Sequence, residues 1–165
     1  MSKTKLDLSS EQNILNMLME GSVISAEQMT RINNTSSEIG KTKLETAFEL
    51  NMVDEDKILK ILSITYSLPA VDLSKKVIDP KIKKIIDLRY IKENLLVPFE
   101  MGDGVIKIAI ADASKLGLMK NLKTMTKMEP ELYATSISEI NKFVERLANQ
   151  EVKKISASNV KVEKT

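Results

Sequence analysis

Apolar residues recur at helical spacing in four stretches before residue 66. In the first stretch, Ser9 or Ser10 is suited to cap a helix whose apolar stripe is Ile14, Met17 and Leu18. The pattern predicts a helical subdomain over residues 10–66, preceded by a flexible lead at residues 1–9. Its other three helices are predicted to begin at Ser25, near Lys41 and at Asp54, with a turn-rich break at residues 33–37.

One sequence pattern at the boundary between two helices occurs twice in this region. Gly21 and Asn51 each stand where a helix is predicted to end, and both residue types tolerate left-handed backbone. An aliphatic residue follows in each copy, and a capping residue, Ser25 or Asp54, then starts the next helix. Because one short unit used twice accounts for this spacing, we predict paired helix-turn-helix repeats.

The pattern changes after residue 66. Pro69 disfavours helix at the preceding residue, so residues 67–78 are predicted to form an extended bridge. Asp79 and Pro80 then suit the start of a further helix. Two apolar strands are predicted beyond it, over residues 95–99 and 105–111, with a hairpin turn at residues 102–104.

The last predicted elements complete an α+β fold. A helix begins at Ser114, a third strand covers residues 131–135, and a final helix starts with the capping-box sequence at Ser136. Residues 79–149 are therefore predicted to form a small ββαβα subdomain with a three-stranded sheet. Residues 150–165 carry no apolar stripe and are predicted to be a tail or linker.

Composition narrows the classes of function. The chain has no cysteine and no histidine, which excludes disulfides, thiol nucleophiles and the usual catalytic triads. Lys plus Arg is 25 and Asp plus Glu is 23, a near balance that argues against a nucleic-acid binder. The phosphate-loop pattern Gly-x-x-x-x-Gly-Lys-Ser/Thr is absent, so this chain is not predicted to be an ATPase by itself. We predict no catalytic residue, no metal site and no resident cofactor.

Neither a signal peptide nor a membrane span is predicted. Residues 1–6 lack the apolar core of a signal peptide, and no apolar run approaches the ~20 residues that a span needs. The expected location is the cytoplasm, with a peripheral position at the inner membrane left open.

Several stretches resemble one known family. Residues 68–73, LPAVDL, look like its Leu-Pro-x-Val-Asp-Leu bridge, and residues 96–99, LVPF, are similar to its Val-Ile-Pro-Leu strand. Residues 108–112, IAIAD, look like its Val-Ala-Met-Ala-Asp-Pro strand end, with Ala113 in place of the proline. Together with the helical repeats, these stretches resemble the N-terminal domain of the type II secretion and type IV pilus assembly ATPases, the family that includes GspE, PilB and MshE.

The resemblance implies a non-catalytic docking or regulatory module. In that family the domain docks a motor to an inner-membrane platform protein, so the implied partners are that protein and an assembly ATPase, in cis or in trans. Some members bind cyclic di-GMP through tandem copies of Arg-Leu-Gly-x-x-Leu-Leu-x-x-Gly. The candidate nucleotide-binding residues stand at positions that align with the motif, namely Gln12, Leu18, Gly21, Ile39 and Gly40.

The chain departs from that motif in both copies. Counting back from Gly21 places residues 12–14 at the Arg-Leu-Gly positions, so the arginine and the glycine are missing. In the second copy, Ile39 and Gly40 resemble the Leu-Gly, but about four extra residues separate them from Asn51. Two alternatives therefore stay open: a cyclic di-GMP sensor with altered contacts, and a free-standing adaptor of a motility or polarity system. A reading frame ending at Thr165 would favour the adaptor.

Two groups of cations have a functional and a structural interpretation. Residues 81–86 alternate lysine with isoleucine. This pattern indicates a helix with one buried apolar stripe and one solvent-exposed face. The alternative interpretation is that the lysines contact acidic lipid headgroups or an acidic partner. Arg31 and Arg89 suit phosphate or carboxylate recognition, but a solvated surface position is the favoured interpretation.

Overall fold

A computed structural model describes the backbone of residues 8–164 and the side chains of residues 8–150. Four helices come first, then two short helices, a hairpin, a helix, a third strand and a long final helix. The helices are α1 Leu8–Glu20, α2 Ala26–Ile39, α3 Lys43–Glu49, α4 Glu55–Tyr66, α5 Ile82–Ile85, α6 Leu88–Asn94, α7 Met119–Thr126 and α8 Ile137–Lys164. The strands are β1 Leu96–Gly102, β2 Val105–Ile110 and β3 Glu129–Ala134, and 3-10 helices span Leu73–Lys75 and Ala113–Leu118.

The three strands form one mixed sheet in the order β1-β2-β3. β1 and β2 are antiparallel around the Asp103-Gly104 turn, where both residues have the positive φ of a tight hairpin (54° and 78°). β2 and β3 are parallel, because α7 crosses between them. The predicted hairpin and the α+β class with a three-stranded sheet are confirmed.

The bridge attaches to this sheet. Ala70 pairs in parallel with Ala134 at the end of β3, where Val71 N donates to Ala134 O (3.0 Å) and Ala134 N donates to Pro69 O (2.8 Å). The chain then turns through the 3-10 helix Leu73–Lys75, so the bridge is only partly extended.

Two apolar clusters hold the fold together. The larger one lies between the sheet, α5, α6 and α8, and contains fully buried Ile86, Ile91, Leu96, Ile108 and Phe143. The other lies among α1–α4, but Ala113 and Ala134 from the sheet half also belong to it. The helical half and the sheet half therefore share part of one core.

Two helix boundaries in the helical half differ from the prediction. α1 already includes Leu8, so Ser9 and Ser10 lie inside it rather than at its cap. α2 runs through residues 33–37, where the hydroxyls of Ser36 and Ser37 both donate to the Asn33 carbonyl within the helix, and Gly40, with φ 68°, ends it. The predicted break was wrong because a polar run on an exposed face can remain helical when tertiary packing favours it.

The sheet half also differs at its two ends. The Asp79 carboxylate accepts from Lys81 N (2.9 Å), and helix starts only at Ile82. A second short helix, α6, was not predicted. α8 extends over 28 residues to Lys164, so residues 150–164 are helical where a tail or linker was predicted. The assignment of subdomains and of a linker role stays a prediction.

Candidate functional site

The repeated turn is built twice with the same hydrogen bonds. After α1, Ser22 adopts φ 60°, Ser22 N donates to Met19 O (3.1 Å), and Val23 N donates to Leu18 O (2.8 Å). After α3, Asn51 adopts φ 55°, and its N–H donates to Phe48 O (3.0 Å). Met52 N donates to Ala47 O (3.0 Å), which completes the same double closure. Both turns are Schellman motifs, which satisfy the last carbonyls of a helix.

A capped helix follows each turn at the same distance. The Ser25 hydroxyl accepts from Gln28 N (3.1 Å) and the Gln28 side chain accepts from Ser25 N (2.9 Å), a complete capping box. The Asp54 carboxylate accepts from Lys57 N (2.8 Å). Ser25 and Asp54 are the caps that the sequence predicted.

The structure corrects the role predicted for Gly21. The left-handed residue of the first turn is Ser22, which therefore corresponds to Asn51, while Gly21 corresponds to Leu50. Gly21 lies close against the Ile61 side chain of α4. A Cβ built on Gly21 would stand 2.9 Å from Ile61 Cγ1 and nearer still to Ile61 Cδ1, closer than side-chain atoms approach in real structures.

The five candidate nucleotide-binding residues occupy different environments. Gln12 is exposed and its amide donates to Asn16 (2.9 Å), whereas Leu18 is fully buried in the core. Ile39 is 44% exposed, and Gly40 ends α2 with its N–H on Ser36 O (3.0 Å). A ligand role for these residues stays a prediction.

Only some of these residues are brought near one another. Thr42 Oγ1 donates to Glu11 Oε1 (2.6 Å), which joins the start of α1 to the residues after Gly40. Gly21 lies at the other end of α1, nine residues beyond Gln12, or about 13 Å along the helix axis. Gln12 and Gly40 therefore lie toward the N-terminal end of α1, and Gly21 lies at its C-terminal end.

An open groove of about 820 Å³ lies between α2 and the second turn. Arg31 is exposed there, and no carboxylate of a described residue lies within ion-pairing distance of it. Sequence reasoning singled out Arg31 but not the groove, because no local pattern relates α2 to a turn twenty residues later. The groove is lined by Val23, Glu27, Gln28, Thr30, Arg31, Asn34, Thr35, Leu50, Asn51, Met52 and Lys57.

Polar contacts join the helical half to the sheet half. Asn13 Oδ1 of α1 accepts from Ala113 N (3.2 Å), and the hydroxyls of Ser10 and Ser114 are 3.3 Å apart. At a second place, Glu55 Oε1 of α4 accepts from the N–H (3.1 Å) and the hydroxyl (2.6 Å) of Ser138. We call these two places the junction. Its pairs are 83 to 104 residues apart in sequence, so no motif announced them.

Asp112 lies beside the first of these two places and is fully buried. Its Oδ1 accepts from Ser114 N (2.9 Å) and from the Ser114 hydroxyl. An aspartate that binds the backbone two residues further on stabilises a turn in this way. Its second oxygen has no hydrogen-bond partner among the described residues.

Several perturbed ionisable groups lie in surface pairs, whereas burial alone raises the pKa of Tyr90. The Glu49 carboxylate raises the pKa of Lys41, and Lys107 lowers the pKa of Glu100 across the β1–β2 hairpin. A hydrogen bond from Ser74 lowers the pKa of Asp72. Within the described part of the chain, no group of three or more acidic side chains is placed to hold a metal ion. No described helix is both long and apolar enough to cross a bilayer.

The sequence profile of the MshEN domain matches residues 66–153. The chain belongs to the MshEN domain family. The matched segment starts at the end of α4 and includes the bridge, the sheet and the first part of α8. The predicted resemblance to the N-terminal domains of secretion and pilus ATPases is thereby confirmed.

Two curated relatives are pilus motors. The chain is 25% identical over 131 residues to the type IV pilus assembly ATPase PilB of Myxococcus xanthus, and 22% identical over 123 residues to PilB of Thermus thermophilus. These matches cover 79% and 73% of this chain. They cover only 23% and 14% of the relatives, so the chain corresponds to a quarter or less of each.

Solved structures share the whole fold. MshE, solved with cdg, superposes with a TM-score of 0.62 at 18% identity over 81% of this chain and 97% of that one. Two crystal forms of the N-terminal domain of XpsE give TM-scores of 0.52 and 0.60 at 23% and 24% identity, over 86% of this chain. The superposition covers 99% and 98% of the XpsE domain, so the helical repeat and the sheet half occur together in both proteins.

Proposed function

We propose that this chain is a non-catalytic docking and regulatory domain of a type II secretion or type IV pilus assembly machine. Its partners would be an inner-membrane platform protein and an assembly ATPase, in cis or in trans, at the cytoplasmic face of that membrane. The observation that carries the proposal is the likeness over the whole fold to isolated N-terminal domains of such ATPases. The absence of a phosphate loop from the sequence agrees with it.

The groove beside the second turn is the docking surface in this proposal. Glu27, Arg31 and Lys57 give it both signs of charge, and the exposed backbone turn at Asn51 adds hydrogen-bonding groups. Charged groups of both signs favour specific recognition of a partner with complementary charges. A partner held there would be coupled to the sheet half through the junction, since Glu55 follows the second turn by four residues and binds Ser138.

The test is binding of the purified chain to the purified cytoplasmic region of the platform protein from the same cell. Arg31→Glu is expected to weaken binding at least tenfold, because it reverses a charge that lines the groove. Lys43→Glu makes the same charge change on exposed α3, outside the groove, and should bind as the parent does. Equal losses in the two variants, or no binding by the parent chain, would contradict the proposal.

Cyclic di-GMP binding is the second candidate function. MshE was solved with cdg and has the same fold, which favours a nucleotide site on the helical repeat. Against it, glutamine stands at the expected arginine position, and Leu18 is buried in the core. A titration with cyclic di-GMP, followed by amide NMR, tests this candidate. Shifts at Gln12, Gly21 and Gly40 would support a sensor. The absence of shifts at high ligand concentration would rule a sensor out.

A further inference from the structure

The charges of this chain are strongly segregated. Residues 8–72 hold ten Asp or Glu against five Lys or Arg, whereas residues 73–92 hold seven Lys or Arg against two Asp. The whole chain has a net charge of only +2, so this near balance hides an acidic helical half and a basic segment of opposite sign. Such a separation orients a molecule in an external field.

The basic segment is a surface of the folded domain. α5 and α6 pack on β1 and α8 through Ile82, Ile86 and Ile91, which are fully buried. Burial of this stripe leaves the lysines of the two helices on the outside, as the alternating sequence predicted. We call Lys81, Lys83, Lys84 and Lys92 the lysine surface.

These lysines are not neutralised within the protein. None of the four has a carboxylate of a described residue within 4 Å, whereas Arg89 nearby is paired with Glu93 (2.9 Å). Both acids of the segment accept backbone bonds at helix starts, Asp79 from Lys81 N and Asp87 from Arg89 N. The lysine surface therefore keeps its charge for a partner.

The two helices are joined at one groove. Lys83 of α5 lies with Arg89 and Lys92 of α6 around an open groove of about 430 Å³. Lys83 Nζ also donates to Leu147 O of α8 (3.2 Å), which fixes α5 against the long helix. In the same segment Val77 is 87% exposed between Lys76 and Ile78.

We propose that the lysine surface binds the anionic surface of a lipid bilayer. All four of its cations are lysines, which hold their water strongly and act as point charges, so they suit a hydrated headgroup layer without fixed geometry. An acidic protein partner would be better matched by arginines in a rigid pocket. The acidic helical half is repelled by the same bilayer, so the domain would lie with α5 and α6 on the membrane.

Binding of the full chain to vesicles tests this proposal. The chain should bind vesicles of equal parts phosphatidylglycerol and phosphatidylcholine, and should not bind phosphatidylcholine alone. The triple variant Lys81→Gln, Lys84→Gln, Lys92→Gln should bind about a hundredfold more weakly, since each lysine near an anionic surface contributes about fivefold. High salt should abolish binding of the parent chain, because the interaction is screened.

The control makes the same charge change elsewhere. Lys43, Lys60 and Lys120 are exposed, unpaired with any described carboxylate, and outside the lysine surface. Their replacement by glutamine should leave vesicle binding within about twofold of the parent. Equal losses in both triple variants would overturn the proposal, since net charge alone would then explain the binding. So would failure on anionic vesicles combined with capture of poly-glutamate through the same three lysines, which would indicate an acidic protein. Circular dichroism checks that each variant is folded.

Discussion

The two turns of the helical repeat have the same backbone but different surroundings. Gly21 of the first turn lies close to the Ile61 side chain of α4, although Gly21 itself is exposed. Leu50 stands at the corresponding position of the second turn and, with Asn51 and Met52, lines an open groove. The first turn contributes Val23 to this groove, whereas the second turn contributes three residues, so the two copies differ in how much of the groove each turn lines. The difference shows that equal hydrogen bonds do not imply equal roles.

The largest expected loss of stability comes from a substitution in the last turn of α1. Leu18 is fully buried, and the corresponding residue of the second copy is Ala47. Leu18→Ala should lower the free energy of unfolding by about 2–5 kcal/mol, because a large side chain is lost from a closed core. Urea unfolding followed by circular dichroism measures it. Ile64→Ala, at a position 75% exposed, should change stability by no more than about 0.5 kcal/mol. A Leu18→Ala variant as stable as the parent would mean that the core around the first copy is not tightly packed.

A methyl group on Gly21 tests the packing of the first turn directly. Gly21→Ala should destabilise the chain by about 1–3 kcal/mol, because the new Cβ overlaps Ile61. In an Ile61→Val background, which removes Cδ1, the same substitution should cost less than half as much. Gly117→Ala is the matched control, since no atom lies within 4 Å of its added Cβ. An equal loss of stability from Gly21→Ala in both backgrounds would show that the loss does not come from overlap with Ile61.

The caps after the two turns should be equivalent. Ser25→Ala and Asp54→Ala each remove one cap and should each cost about 1 kcal/mol. Thermal unfolding of both variants compares them under one condition. Ser37→Ala removes an exposed hydroxyl inside α2 and serves as a control without loss of stability. A difference of several-fold between the caps would show that the two units differ at the backbone level as well.

The smallest effect concerns an ion pair that only the second copy has. Lys41, which corresponds to Gln12, is paired with Glu49, and that pairing raises the pKa of Lys41 above its ordinary 10.5. A raised pKa in the folded state stabilises the fold below 10.5, and this stabilisation is lost as pH rises through the higher native value. The parent should therefore lose more stability above pH 10.5 than Lys41→Gln does. Parallel pH profiles would contradict this.

Local chemistry allowed much of the fold to be predicted. The caps at Ser25 and Asp54 and the hairpin at Asp103-Gly104 depend on neighbouring residues, and each was found from them. The left-handed position was misplaced by one residue because glycine outweighs serine in local preference, whereas in the structure Gly21 meets a tertiary need.

The remaining features depend on contacts that are distant in sequence. The polar run at residues 33–37 remains helical because buried Ile32 and Ser36 hold α2 on its neighbours. The junction depends on the contact between Asn13 and Ala113, and the groove is lined by residues of α2 and of the second turn. Neither has a signature in a single sequence. The five candidate nucleotide-binding residues came from a family motif alone, which explains why a buried leucine stands among them.

Amide NMR of the labelled chain, titrated with the cytoplasmic region of the platform protein, tests the central claim most directly. We predict shifts at Arg31, Asn51 and Met52, which line the groove, and none at Gly21, which lies outside it. Smaller shifts at Ser138 would follow from the contact with Glu55. Shifts centred on Gly21 with none at Asn51, or no shift at saturating partner, would contradict a docking role for the second turn.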